Sequence, residues 1–183
     1  MASSCYEKLL QAVVDNSQSK DWNLAVMEWG ITDCIEDLSR NACCICGKEK
    51  LRYLYKISNI KTHNVLFPIG SSCIKKFKRS DLNAEIKLQE QMYKLYHAMK
   101  EKKHVELDNQ FFSRKLIKHL FQEGAFQKAT HQEEDYLFFM EMFNRRDKTT
   151  ISERQHKKID AIIWRVVFPY LRNTLNIEND SNG

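Results

Sequence analysis

Apolar positions recur at helical spacing through most of this chain and give way to β-formers in one stretch. Leu9, Leu10, Val13 and Val14 predict a helix over about 4–14. The stretch from Trp22 to Gly30 reads either as a second helix capped by Gly30 or as a first strand. Leu51, Tyr53, Tyr55, Ile57 and Ile60, followed by Val65, Leu66 and Phe67, predict a two-stranded ribbon. A helix starts after Cys73, falters near Arg79-Ser80-Asp81 and resumes. Leu82, Ile86, Met92, Leu95, Tyr96 and Met99 carry it amphipathically to about Lys103.

Three more helices follow. Asp108 is the predicted N-cap of a helix to Glu123, with Phe111, Phe112, Leu116, Ile117, Leu120 and Phe121 inward and Gly124 ending it. Thr130-His131-Gln132-Glu133 and Ser152-Glu153-Arg154-Gln155 both read as capping boxes. The first precedes Tyr136, Leu137, Phe139, Met140 and Phe143. The second precedes Ile159, Ile162, Ile163, Val166 and Val167. Core packing explains this aromatic and methionine density, with a homodimer through these helices as the second reading. The predicted class is mainly α with a small β-hairpin module (α+β), ending in a helical bundle. It divides into a helical segment 1–42, a module 43–80, a helical domain 81–175 and a disordered tail 176–183.

The cysteines add chemistry to the module. Cys43, Cys44 and Cys46 crowd in front of Gly47, and Cys73 follows the ribbon at the start of a helix. A glycine lets the backbone curl behind two thiolates, so knuckle, ribbon and helix-start cysteine predict a structural four-thiolate zinc site. Redox use of the C-x-x-C pair wants a βαβ context, and a hairpin follows instead. Disulfides want an oxidising compartment, whereas the N-terminus lacks a charged and apolar leader, which predicts a cytoplasmic protein. Cys46 and Cys73 sit beside glycine-containing turns. Cys43 is favoured by C-x-x-C spacing, Cys44 by C-x-C spacing, and the full set is Cys43, Cys44, Cys46 and Cys73. Cys34 and His63 stand in reserve for the fourth position, His63 reading equally as a solvated turn residue. A helix start would favour the Cys73 thiolate.

Composition keeps this picture and charge sharpens it. Across 183 residues 43% are hydrophobic and 29% charged, enough for a core, and no apolar run approaches the ~20 residues of a membrane span. Residues 43–80 carry nine basic side chains against Glu49, while residues 1–42 carry three basic and seven acidic. Lys75, Lys76, Lys78 and Arg79, with Lys56 and Lys61, are the candidate contacts to a nucleic-acid backbone. A solvated face offsetting thiolate charge is the plainer reading. Arg145, Arg146 and Lys148, then Arg154, Lys157 and Lys158, form a second basic cluster that either joins the first or solvates a corner.

The stretches Cys44-Ile-Cys-Gly-Lys, Leu51 to Asn59 and Ile69-Gly-Ser-Ser-Cys73-Ile-Lys-Lys-Phe77 resemble a largely uncharacterised zinc-binding module of small bacterial and phage proteins. The resemblance covers about a fifth of the chain. That family often adds a ligand after the glycine or in the first strand, where this chain has Lys48 and Tyr55, so Cys43 becomes the natural substitute. The stretch Leu137 to Leu171 resembles the helical tail that can accompany the module. Family context implies nucleic-acid transactions, or defence and counter-defence through docking on a larger machine such as a CRISPR effector nuclease.

Catalytic signatures are missing from the sequence. There is no H-E-x-x-H, no H-x-E with P-C-x-x-C, no phosphate-binding glycine loop and no G-x-G-x-x-G. His63-Asn64 is a faint echo of a nuclease site, and Glu133, Glu134 and Asp135 suit a helix's first turn. The sequence therefore predicts a non-catalytic, zinc-stabilised nucleic-acid-binding accessory protein. A regulator that docks on a protein complex is the alternative.

Overall fold

Ser4 opens helix α1 (Cys5–Asp15) with a capping box, its hydroxyl accepting the Glu7 N–H while the Glu7 carboxylate accepts the Ser4 N–H. The computed structural model describes residues 4–101, 103–128 and 131–175. Its architecture is α+β, mainly helical with one small antiparallel sheet. The tail 176–183 and Thr130 lie outside the described residues. Two compact units divide the chain, Met1–Gln89 and Glu90–Gly183.

In the first unit both readings of Trp22 to Gly30 prove partly right. Trp22–Ala25 is a single turn, α2, capped by Asp21; a 3₁₀ turn, Val26–Glu28, leads into strand β1 (Trp29–Glu36). Gly30 therefore caps nothing and pairs with Ser58. The ribbon expected from sequence is β2 (Tyr53–Asn59) and β3 (Val65–Ile69), and β1 adds a third strand in the order β1-β2-β3. This strand lies inside the segment read as helical. A bulge between Ile31 and Asp33 breaks its alternation, which removes the period-2 signal. Tyr55, Ile57 and Ile69 cover one face of the sheet and are wholly buried, together with Leu9 and Val13 of α1.

A buried polar knot joins these elements. The Glu28 carboxylate accepts the Gln18 and Ser19 N–H groups at 2.8 and 2.9 Å and the Asn59 amide at 2.9 Å. Ser17 Oγ accepts from the Trp29 indole at 2.8 Å. Glu28 is 2% exposed, so these partners replace its water.

After β3 comes α3 (Ser71–Ile74), a 3₁₀ turn over Lys75–Phe77, and Lys78 in the left-handed region at φ 54°. This is the expected break, and α4 (Ser80–Lys100) resumes beyond it. Phe77 packs edge-on against Trp22 at 5.6 Å, which packs in turn against Tyr6 at 6.1 Å.

In the second unit α5 (Arg114–Gln122) starts later than predicted. Ser113 is its N-cap, accepting the Leu116 N–H at 3.1 Å. Asp108 caps a separate turn instead, accepting from Gln110 and Phe111. That turn buries Phe111 and Phe112, which accounts for the apolar spacing ahead of the helix. Gly124 ends this region at φ +83°. Helix α6 (Gln132–Asn144) has His131 at its N-cap position with no side-chain cap bond from that residue. Helix α7 (Glu153–Ile162) opens on the predicted Ser152–Gln155 capping box. It continues through a π-helical turn, Ile163–Val167, into α8 (Phe168–Thr174). Phe112, Phe126 and Phe139 interlock here, with ring centroids 5.5 and 6.4 Å from Phe139. No helix among the described residues is long and apolar enough to cross a membrane.

Candidate metal centre

The knuckle forms because Gly47 can hold φ +88°, a conformation that costs other residues about 1–2 kcal/mol. The Gly47 N–H reaches back to the Cys44 carbonyl at 2.7 Å, and the Cys44 N–H to the Lys48 carbonyl at 2.8 Å. The Ile45 N–H bonds the Pro68 carbonyl at 3.0 Å, which ties the turn to the end of β3. From there Gly70 leads into α3, and the Cys73 sulfur arrives opposite the knuckle.

Three sulfurs converge as a result. Those of Cys44, Cys46 and Cys73 all lie within 4.8 Å of one another. Cys73 is 3.4 Å from Cys46 and 3.7 Å from Cys44, and all three residues are buried. Thiolates bound at ~2.3 Å in a tetrahedron stand about 3.8 Å apart, so the spacing of the set is of the size that could hold a metal ion. Backbone N–H groups supply the surrounding bonds: Gly70 to the Cys44 sulfur at 3.3 Å, Cys46 also to Cys44, and Lys48 to Cys46.

Proton affinity differs sharply among the three. Contact with the Cys73 thiol, then the Cys46 and Gly70 N–H groups, pull Cys44 down to about 5 against the cost of burial. Burial pushes Cys46 up. Contact with Cys44, followed by burial, pushes Cys73 up. The helix start at Cys73 is only one turn long.

The remaining candidates lie apart from this group. Cys43 is exposed, although its spacing made it a candidate: the knuckle turns on Cys44 and Cys46, so the working motif is C-x-C-G. Cys34 sits in β1 opposite Tyr55, and His63 is exposed in the β2–β3 turn at φ 60°. Among the described residues no other His, Cys, Asp or Glu joins the three sulfurs. Comparison of the chain with protein-family models, with curated proteins and with solved structures finds no match.

The candidate lysines take different places, and Lys61 lies at the hairpin end of the ribbon, away from the knuckle tied to Pro68. Lys75, Lys76 and Lys78 are exposed on the turn that leaves Cys73, and Lys56 and Lys61 are exposed on and beyond β2. Lys76 stands 5.3 Å over the Tyr6 ring, and Lys61 is 3.8 Å from Glu28. Arg79 is different. Its guanidinium donates to the Val26 carbonyl at 3.1 Å, to the Trp29 carbonyl, and to both oxygens of Asp81. These contacts tie its guanidinium to the fold. Sequence reasoning passed over Lys8, whose ammonium would lie 3.5 Å from a Cβ built on Gly47. Only folding brings α1 to the knuckle, so no local pattern signals it. Lys48, which donates to the Ser72 hydroxyl at 3.3 Å, was adjacent to the motif and could have been singled out.

Proposed function

We propose that the first unit is a zinc-stabilised, non-catalytic module that binds nucleic acid through its lysines. The observation that carries the reading is the continuity of one short segment: the buried sulfur of Cys73 is followed at once by exposed Lys75, Lys76 and Lys78. A metal on Cys44, Cys46 and Cys73 would hold that segment fixed, so binding energy is not spent ordering it. Zinc suits this thiolate cluster because it is redox-inert and prefers tetrahedral sulfur ligation, with three sulfurs leaving its fourth position to a further ligand. The lysines would contact phosphates and fix position without reading sequence.

The test is fluorescence anisotropy with labelled single-stranded and duplex oligonucleotides across a salt series. Binding should weaken with salt, and Lys75→Gln, Lys76→Gln and Lys78→Gln together should lower the log–log slope by about 2–3. An unchanged slope in a folded triple variant would sink the reading.

A protein-docking regulator is the second reading, and the outer face of the sheet favours it. Ile35 and Val65 are 47% and 48% exposed there, on the side away from Tyr55 and Ile57, and Phe67 at the β3 irregularity is 45% exposed. A partner protein, such as a larger nucleic-acid-processing complex, would cover these residues. Changing Val65 and Phe67 to charged residues would then abolish the complex and leave oligonucleotide binding intact.

A further inference from the structure

The second unit carries a strongly basic cleft. A cleft of about 510 Å³ opens between the start of α5 and the end of α6. Five of its nine lining residues are basic, namely Arg114, Lys115, Arg145, Arg146 and Lys148, and none is acidic. We infer that this cleft binds phosphate groups.

Nearby carboxylates offset part of that charge, Asp108 acting on Lys148 and Glu141 on Arg145, and leave the lining net positive. Glu141 pairs with Arg145 at 3.0 Å, and Asp147 accepts the Thr149 N–H and hydroxyl at 2.9 and 2.6 Å. Asp108 accepts from the turn at Gln110 and Phe111. Two of the cations serve the fold: Arg145 through Glu141, and Lys148 by donating to the Met142 and Phe143 carbonyls at 2.6 and 3.0 Å. The Lys148 bonds matter to an anion, since they neutralise the negative C-terminal end of α6 where it meets the cleft. Arg114, Lys115 and Arg146 remain as the binding groups. The Arg114 Nε donates to Asn144 Oδ1 at 2.5 Å across 30 positions of sequence, which orients the guanidinium. Its two terminal nitrogens have no partner among the described residues, and such a fork suits two oxygens of one phosphate. The first-turn N–H groups of α5 add positive potential at the same mouth.

The ligand chemistry is a phosphate oxyanion, supplied either by a nucleic-acid backbone or by a free phosphate compound. The site stands on its own geometry, so it is testable whether or not the lysines after Cys73 bind anything. The test uses the full chain with two probes, inorganic pyrophosphate by calorimetry and a labelled oligonucleotide by anisotropy. Lys115→Gln with Arg146→Gln is the informative variant, because neither side chain makes a hydrogen bond or ion pair among the described residues; Arg146→Gln alone is the fallback. The expected result is about tenfold weaker binding of at least one probe, with the oligonucleotide salt slope lower by about 1.5. Loss of pyrophosphate binding alone identifies a free phosphate ligand, and loss for both probes identifies the polymer backbone as well. Wild-type affinity in the variant for both probes overturns the inference, as does a wild-type protein that binds neither. Running the Lys75, Lys76, Lys78 triple variant in parallel separates failure of this site from failure of the module's.

Discussion

The sulfur of Cys73 lies 3.4 Å from that of Cys46, although 27 positions separate them. No covalent bond is needed for that approach; the Ile45–Pro68 hydrogen bond and the Gly70 N–H on the Cys44 sulfur set it up. A metal held by these sulfurs would close that long loop, and its binding free energy would become folding free energy.

Metal content should therefore follow the three sulfurs and ignore the fourth neighbour. Elemental analysis of protein purified under reducing conditions is expected to give one zinc per chain. Cys44→Ser, Cys46→Ser and Cys73→Ser should each lose the metal and lower the melting temperature of the first unit, because structural zinc is worth about 10–16 kcal/mol in small zinc domains. Cys43→Ser should keep both metal and melting temperature. Metal loss in Cys43→Ser would instead place that thiol in the coordination sphere.

Gly47 should be nearly as demanding as the ligands beside it. A Cβ there has room, with Lys8 Nζ 3.5 Å away, so the penalty comes from φ +88° and not from a clash. Gly47→Ala should cost about 1–2 kcal/mol and weaken metal binding about tenfold, read by competition with a chelator. Gly70→Ala is the contrasting case. Its Cβ would come within 2.9 Å of Leu51 Cδ2, and the loss there would come from packing.

Arg79 separates a structural cation from a binding one. Its side chain is only 17% exposed and its guanidinium bonds two backbone carbonyls and Asp81. Arg79→Ala should destabilise the first unit by about 1.5–3 kcal/mol in urea melts, since carbonyls at Val26 and Trp29 lose a charged donor. The salt slope of any oligonucleotide binding should stay at its wild-type value. A fall in slope without loss of stability would return Arg79 to the phosphate-contacting set.

These contrasts mark what was legible in the sequence. Helices with strong periodicity and local caps were readable, as Ser152 with Gln155 demonstrates, because every determinant lies within one turn. Gly47 beside Cys46 announced the knuckle for the same reason. Long-range partnerships were not readable. Arg79 looks like one more basic residue after Lys78 until Val26 and Trp29 fold beneath it, and β1 hides its strand period behind a bulge at Thr32. The choice between Cys43 and Cys44 also depended on folding, since adjacent side chains diverge and the ribbon decides which one faces Cys73. The Arg114–Asn144 bond that shapes the second basic cleft spans two helices and has no local signature.

Acid should release the knot around Glu28. The Asn59 amide foremost, then the Ser19 and Gln18 N–H groups, hold the Glu28 carboxyl below its ordinary range, against the opposing effect of burial. A carboxyl with a depressed folded pKa contributes stability that is fully present above its unfolded pKa, near 4.5, and is lost as pH falls through the folded value. The contribution of Glu28 to stability should therefore be steady from neutrality down to about pH 5 and decline below it. Asp37 and Asp81 are depressed as well, by Ser39 and Arg79 respectively, and burial raises Glu85 with the opposite sign, so the wild-type pH dependence is a sum. The difference between wild type and Glu28→Gln isolates one member of that sum. Glu28→Gln should be less stable at neutral pH, because its amide can accept at only one oxygen where the carboxylate uses two. It should also decline less steeply between about pH 5 and pH 3, so the two curves converge in acid. Parallel curves in urea titrations would show that Glu28 does not carry this dependence.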